Sequence, residues 1–173
     1  MLTKLMRLYR HRWQNEPSAA KTLSHEVLLR LTQSVQFSET RHSGEIRIYA
    51  EGALPLSYLW RNASMALITR QRALALFGKL RVWDTENNNG VLIYLLVAER
   101  AIEIVADRGL NDKVSPEAWM AMITTMREAF RRLDFELGMT LAIKEVSDLL
   151  TVYFPLSAGA SSPNELPDEP VVR

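Results

Sequence analysis

The sequence predicts an α/β domain. It is a three-layer α/β/α sandwich, in which a small mixed sheet of three or four strands is covered by helices on both faces. Three observations predict it. Residues 45–51 alternate, with Ile46, Ile48 and Ala50 on one side and Glu45, Arg47, Tyr49 and Glu51 on the other. Residues 91–97 are apolar without alternation, as in a central strand covered on both faces. A helical stretch lies between these two segments, so the two strands run parallel through a right-handed crossover.

The elements follow in order. Residues 2–13 form a basic amphipathic helix, with Leu2, Leu5, Met6, Tyr9 and Trp13 on one face and Lys4, Arg7, Arg10 and Arg12 on the rest. Pro17 ends that segment. Thr22 or Ser24 caps the next helix, whose stripe is Val27, Leu28, Leu31 and Val35. Arg41-His42-Ser43-Gly44 reads as the turn into the first strand, which is expected to have one buried face. After Pro55 a long helical stretch runs to about Leu80, with Ala73, Leu76 and Phe77 in register. Asp84-Thr85-Glu86-Asn87-Asn88-Asn89 is a polar loop closed by Gly90. Residues 100–107 return as a strand after only Ala98-Glu99, which implies an antiparallel hairpin. Ser115-Pro116-Glu117 opens a helix with a cap, a first-turn proline and an acid. Trp119, Met122, Ile123, Met126 and Phe130 form its inner stripe, and a last helix carries Met139, Ala142, Ile143, Val146 and Leu150. From Pro155 the composition turns to Ser, Pro and acids. The chain thus divides into an N-terminal helical segment (1–16), a domain (18–155) and an acidic, Pro-rich tail (156–173) expected to be disordered.

Composition bounds function. The chain has 173 residues, 47% of them hydrophobic, and a net charge of +1, so one well-filled core is expected and no nucleic-acid partner. With no cysteine, zinc–thiolate and thiol chemistry are excluded. No apolar run reaches the ~20 residues of a membrane-crossing helix. Arg7, Arg10 and Arg12 interrupt any signal-peptide core, so the expected location is the cytoplasm. The basic N-terminal helix predicts either docking on the domain through Leu5, Tyr9 and Trp13 or a peripheral contact with a protein partner or the anionic inner-membrane surface.

The hairpin carries a geometric consequence. With Ala98-Glu99 at the turn, Val97 faces Arg100 and Gly90 faces Asp107. The 84–89 and 107–112 loops therefore meet at one rim, together with the start of the first strand. That rim gathers Glu39, Asp84, Glu86, Asn87, Asn88, Asn89, Asp107 and Asp112, all oxygen donors suited to Ca²⁺ or Mg²⁺. The alternative is ordinary turn and cap chemistry for the same residues. The rim also lies at the amino ends of the parallel strands, opposite the usual ligand end of open α/β sheets. The loop is no EF-hand, and no Gly-x-Ser-x-Gly elbow or phosphate-cradling loop occurs, so no catalytic residue is assigned.

Four segments carry a family resemblance: Ser43-Gly44-Glu45-Ile46-Arg47, Arg81-Val82-Trp83-Asp84-Thr85, Asn89-Gly90-Val91-Leu92-Ile93-Tyr94 and Ile104-Val105-Ala106-Asp107-Arg108-Gly109. Together with the Trp119 helix and Tyr153-Phe154-Pro155, they resemble the TPM domain over roughly residues 23–155. That domain occurs in bacterial proteins and in thylakoid proteins linked to photosystem II repair, and this chain looks like the stand-alone cytosolic bacterial branch. The resemblance implies the α/β/α sandwich and a calcium or magnesium site, with acid phosphatase activity in some members. Asp84 and Asp107 match the family's acidic positions best, followed by Asp112, Glu39 and Glu86. The role expected is a soluble interaction module with a cation-binding rim; the alternative is a weak cation-dependent acid phosphatase.

Three smaller expectations complete the reading. Arg47 and Glu103 form a cross-strand ion pair, His42 is a solvated turn residue, and Trp83 anchors the rim loop.

Overall fold

The computed structural model describes residues 2–12, 19–157 and 159–173. Helix α1 (Leu2–Arg12) and the short α2 (Ala19–Thr22) and α3 (His25–Glu39) precede strand β1 (Ile46–Glu51). Helices α4 (Leu56–Leu59) and α5 (Met65–Lys79) lead to β2 (Val91–Leu96), a 3₁₀ turn at Val97–Glu99 and β3 (Ala101–Ala106). The remaining elements are α6 (Arg108–Asn111), α7 (Pro116–Arg131), α8 (Phe135–Tyr153) and β4 (Val171–Val172). The single helical stretch expected after Pro55 is two helices, because Ser64 caps a new one by accepting from the Leu67 amide.

The sheet order is β3-β2-β1-β4. β1 runs parallel to β2 with Ile46 opposite Val91, as the intervening helices require. β2 and β3 are antiparallel with Leu96 opposite Ala101 and Val91 opposite Ala106, the register the two-residue link predicts. Ala-Glu closes this hairpin as part of the 3₁₀ turn, after which Arg100 adopts a left-handed conformation at φ 49°.

An apolar layer packs on each face of the sheet. On one face Ile46, Ile48, Ile93 and Ile104 meet Leu31 and Val35 of α3, Met126 and Phe130 of α7, and Ile143 and Val146 of α8. On the other, Tyr49, Leu92, Tyr94 and Val105 meet Leu59 of α4 and Ile68, Ala73 and Leu76 of α5. The fold is therefore the expected three-layer sandwich.

Pairing overturns the expectation of a single buried face on β1, where all six residues are buried. Glu51 accepts two bonds from Arg72, at 2.9 and 2.6 Å, and a third from the Tyr94 hydroxyl at 2.9 Å. Burial of a carboxylate at 2% exposure is tolerated because three donors meet it. The Arg47–Glu103 pair does not form: Arg47 donates to the carbonyls of Pro167 and Glu169, while Arg70 lies 3.5 Å from Glu103.

Those carbonyls belong to the tail. The disorder expected of residues 156–173 is corrected by β4, which pairs with Tyr49 and Ala50, and by Leu166, which is buried in the second apolar layer. Its solvated composition is outweighed by hydrogen-bond partners on β1, which local sequence does not display.

Helix α1 docks, but not through the face expected. Arg7 donates to the carbonyls of Arg61 and Ala63, at 3.3 and 2.7 Å, and Arg10 pairs with Glu99 at 3.0 Å. His11 is buried, accepting from the Leu54 amide and donating to Glu99. Leu5, Met6 and Tyr9 face solvent. Trp13 and Pro17 lie outside the described residues.

Candidate cation-binding corner

The corner is built where β2 begins and β3 ends. The Asp107 amide donates to the Gly90 carbonyl at 2.9 Å, continuing the β2–β3 ladder by one step. Gly109 N–H then donates to the Asn88 carbonyl at 2.9 Å, tying the two loops together. Gly109 is required by this approach, since a Cβ there would lie 2.5 Å from the Asn88 carbonyl oxygen and 2.7 Å from that of Asn87. Gly90 is equally constrained, with the Val82 carbonyl oxygen 2.0 Å from where a Cβ would stand.

Two oxygens at this corner are buried without a hydrogen-bond partner: Asn89 Oδ1 and Asp107 Oδ2. The Asn89 amide is oriented by its neighbours. Its Nδ2 donates to the Ser43 carbonyl at 3.0 Å and to Ser43 Oγ at 3.3 Å, which turns Oδ1 the other way. The other oxygen of Asp107 accepts from the Arg108 amide at 2.7 Å as a cap of α6, leaving Oδ2 unanswered. An orphaned buried acceptor costs roughly 1–3 kcal/mol, and more when charged, unless water or another electropositive group answers it. The donors present fit a hard cation: one carboxylate, one amide oxygen and adjacent main-chain carbonyls.

The five residues expected as ligands are not brought together. Asp84 is exposed and paired with Arg81. Glu86 is exposed, and its amide donates to Glu165 at 3.0 Å. Asp112 is an exposed cap at the end of α6. Among the described residues no group of three or more His, Asp or Glu side chains forms a metal-holding cluster. Trp83 does not anchor the loop either: it is 48% exposed, with the Arg81 guanidinium 5.9 Å from its ring. Asn89 stood in the rim by sequence, but the amide lock from Ser43 is a contact across 46 residues that no local pattern reveals.

Glu39 belongs to a different place, a cavity of about 320 Å³ lined by Gln36, Glu39, His42, Glu45, Asn164 and Asp168. Burial pushes the Glu39 carboxyl up to about 8, against the Ile46 N–H it accepts at 3.0 Å and with Glu45 and Asp168 adding to the rise. It is therefore largely protonated at neutral pH. Glu45 is also raised by burial, though it accepts from the Leu166 amide at 3.1 Å. His42 is fully buried rather than solvated. Its Nδ1–H donates to the Gly44 carbonyl at 3.0 Å and its Nε2 accepts from Ser147 at 3.1 Å, while burial pushes its pKa down to about 4.

The TPM domain model matches residues 18–149 of the chain. Among solved structures, the NMR structure of the BA42 protein from the psychrophilic bacterium Bizionia argentinensis aligns with a TM-score of 0.70 at 27% sequence identity. The alignment covers 86% of this chain and 94% of that one. A comparison with curated proteins gives no match.

Proposed function

The chain belongs to the TPM domain family, and on that premise we propose that it is a non-catalytic interaction module whose Asp107 corner takes a divalent cation. The observation that carries this reading is the pair of buried, unpartnered oxygens on Asn89 and Asp107. Asp107 and Asn89 would hold the ion, with the main-chain carbonyls of Asn87 and Asn88 completing the oxygen set. A bound cation would neutralise Asp107 and bridge the loop that enters β2 to the loop that leaves β3. One carboxylate makes a weak site, with Kd on the order of 10⁻⁴–10⁻³ M, and the irregular carbonyl-rich set favours Ca²⁺ over octahedral Mg²⁺.

Partner contact falls to the ends of the chain. No helix among the described residues is long and apolar enough to cross a membrane. The outward Leu5, Met6 and Tyr9 of α1 supply an apolar face on a basic helix, suited to a protein partner or an anionic membrane surface.

The test is calorimetric titration of metal-free protein with Ca²⁺, Mg²⁺ and Mn²⁺, alongside Asp107→Asn. Stoichiometric binding with a raised melting temperature, lost in the variant, is the expected result. No heat and no thermal shift up to about ten times the upper end of that Kd range removes the cation from the proposal.

One observation favours the phosphatase alternative. Arg108, exposed beside Asp107, donates from Nε to Asn88 Oδ1 at 3.1 Å and leaves its outer nitrogens available to a phosphoryl group. That reading requires cation-dependent hydrolysis of a model phosphomonoester that Arg108→Ala and Asp107→Asn both abolish.

A further inference from the structure

The outer edge of β1 is covered by the chain's own C-terminal segment, which is held in two main places and also through Glu165, the acceptor of the Glu86 amide at 3.0 Å. The first lies just after α8, where Ser43 N–H donates to the Phe154 carbonyl at 3.0 Å and Leu156 N–H to the Arg41 carbonyl at 3.1 Å. The second is residues 166–173. Leu166 N–H donates to Glu45, Arg47 donates to the carbonyls of Pro167 and Glu169, and Arg173 exchanges main-chain bonds with Ala50 and Gly52 at 2.9 and 2.8 Å. Between them, Ser157 and residues 159–161 are exposed.

The second attachment reads a main chain more than a sequence. Glu45 takes an amide, Arg47 takes two carbonyls two residues apart, and the ladder takes a two-residue strand. Leu166 is seated in the apolar layer at 7% exposure, Asp168 is buried to the same degree and accepts from Asn164, and Val171 and Val172 are partly buried against the two apolar layers. With the segment in place Glu45 and Arg47 are buried, at 2% and 8% exposure, and both are bonded to its backbone, one as acceptor and one as cation. The segment also lies beyond residue 149, where the family match ends. The domain thus presents an edge strand with fixed polar groups, and this chain supplies its own cover.

We propose that the outer edge of β1 is a strand-accepting site for an extended peptide of a partner protein, and that the C-terminal segment is its displaceable resident. The peptide it fits carries a leucine for the Leu166 seat, carbonyls in extended backbone for Arg47, acidic side chains near that guanidinium, and a β-branched pair for the ladder. This names a partner class for the interaction module and rests on that reading, but not on the cation corner. The tethered resident competes at an effective concentration on the order of millimolar, so a free peptide binds the intact chain weakly.

The experiment uses a fluorescent peptide of residues 163–173, the full chain, and the full chain carrying Leu166→Asp and Val171→Asp, all in EDTA so that a failed cation site leaves the result unaffected. The peptide is expected to bind the double variant at least about tenfold more tightly than the wild type, and Arg47→Ala in that background is expected to abolish binding. A cooperatively melting double variant that ignores the peptide overturns the proposal. So does binding indifferent to Arg47. Hydrogen exchange on the wild type supplies a readout that no substitution can spoil. The amides of Gly52, Leu166 and Arg173 are expected to exchange at least about tenfold faster than that of Ile93 in central β2, through local opening. Equal rates make the segment an integral strand and overturn the proposal. A dimer in light scattering that Arg47→Ala dissolves assigns the edge to a second copy of the chain and overturns the foreign peptide.

Discussion

Replacing Glu39 by Gln is expected to remove most of the loss of stability that the wild type suffers above neutral pH. Glu39 faces Glu45, Asp168 and His42 in a cavity walled by the start of β1 and the C-terminal segment. Its carboxyl titrates near 8 in the folded protein, against 4.5 in the unfolded chain, with burial as the main cause. Between those values the folded state binds the extra proton. The contribution to stability is therefore complete below about pH 4.5 and is lost as pH rises through 8. At about 1.4 kcal/mol per pH unit the ceiling approaches 5 kcal/mol, and water reaching an open cavity reduces the expected loss to about 2–3 kcal/mol. His42 works in the opposite sense: with a folded pKa near 4 its contribution is present above 6.5 and lost as pH falls toward 4, so it does not enter the window from pH 6.5 to 9. Glu45, also raised, leaves a smaller residual slope of the same sign. Glutamine keeps the acceptor for the Ile46 amide. The assay is urea unfolding followed by circular dichroism at fixed ionic strength, in half-unit pH steps. The advantage of the variant over the wild type is expected to grow by about 1–2 kcal/mol between pH 6 and pH 9. Parallel curves across that range would refute the assignment of a partly buried, protonated Glu39.

Two further outcomes follow from buried groups. Glu51→Ala leaves the Arg72 guanidinium and the Tyr94 hydroxyl without their acceptor. The expected cost is about 3–5 kcal/mol, or a melting temperature lower by roughly 6–20 °C, whereas the double replacement Glu51→Leu/Arg72→Met recovers most of it. Thermal melts of the single and double variants check this. Gly109→Ala forces the Asn87 and Asn88 carbonyls away from their present positions, so about 1–3 kcal/mol of stability and the calorimetric heat of Ca²⁺ binding are expected to fall together.

The sheet was legible because its pairings follow from local facts. Two residues between strands admit one antiparallel register, and the ladder observed between β2 and β3 has it. A helical connection between two strands dictates the parallel β1–β2 pair in the same way. The rim was legible as a place for the same reason, since Gly90 and Asp107 are one step beyond that ladder. Its composition as a site was not. Asp84, Asp112 and Glu39 share the neighbourhood by count, yet an adjacent arginine, a helix end and a separate cavity claim them.

What the sequence by itself determined is the main helices and strands up to α8, their order, the β1–β2 and β2–β3 pairs and the family, because periodicity, caps and link lengths act over a few residues. Only the tertiary structure decided which polar groups are buried and what answers them. Arg47 meets carbonyls 120 and 122 residues away, His42 meets Ser147 across 105, and Leu166 reaches Glu45 across 121. A charged or hydroxyl side chain carries no local mark of a distant partner, and its burial is favourable only once that partner is in place.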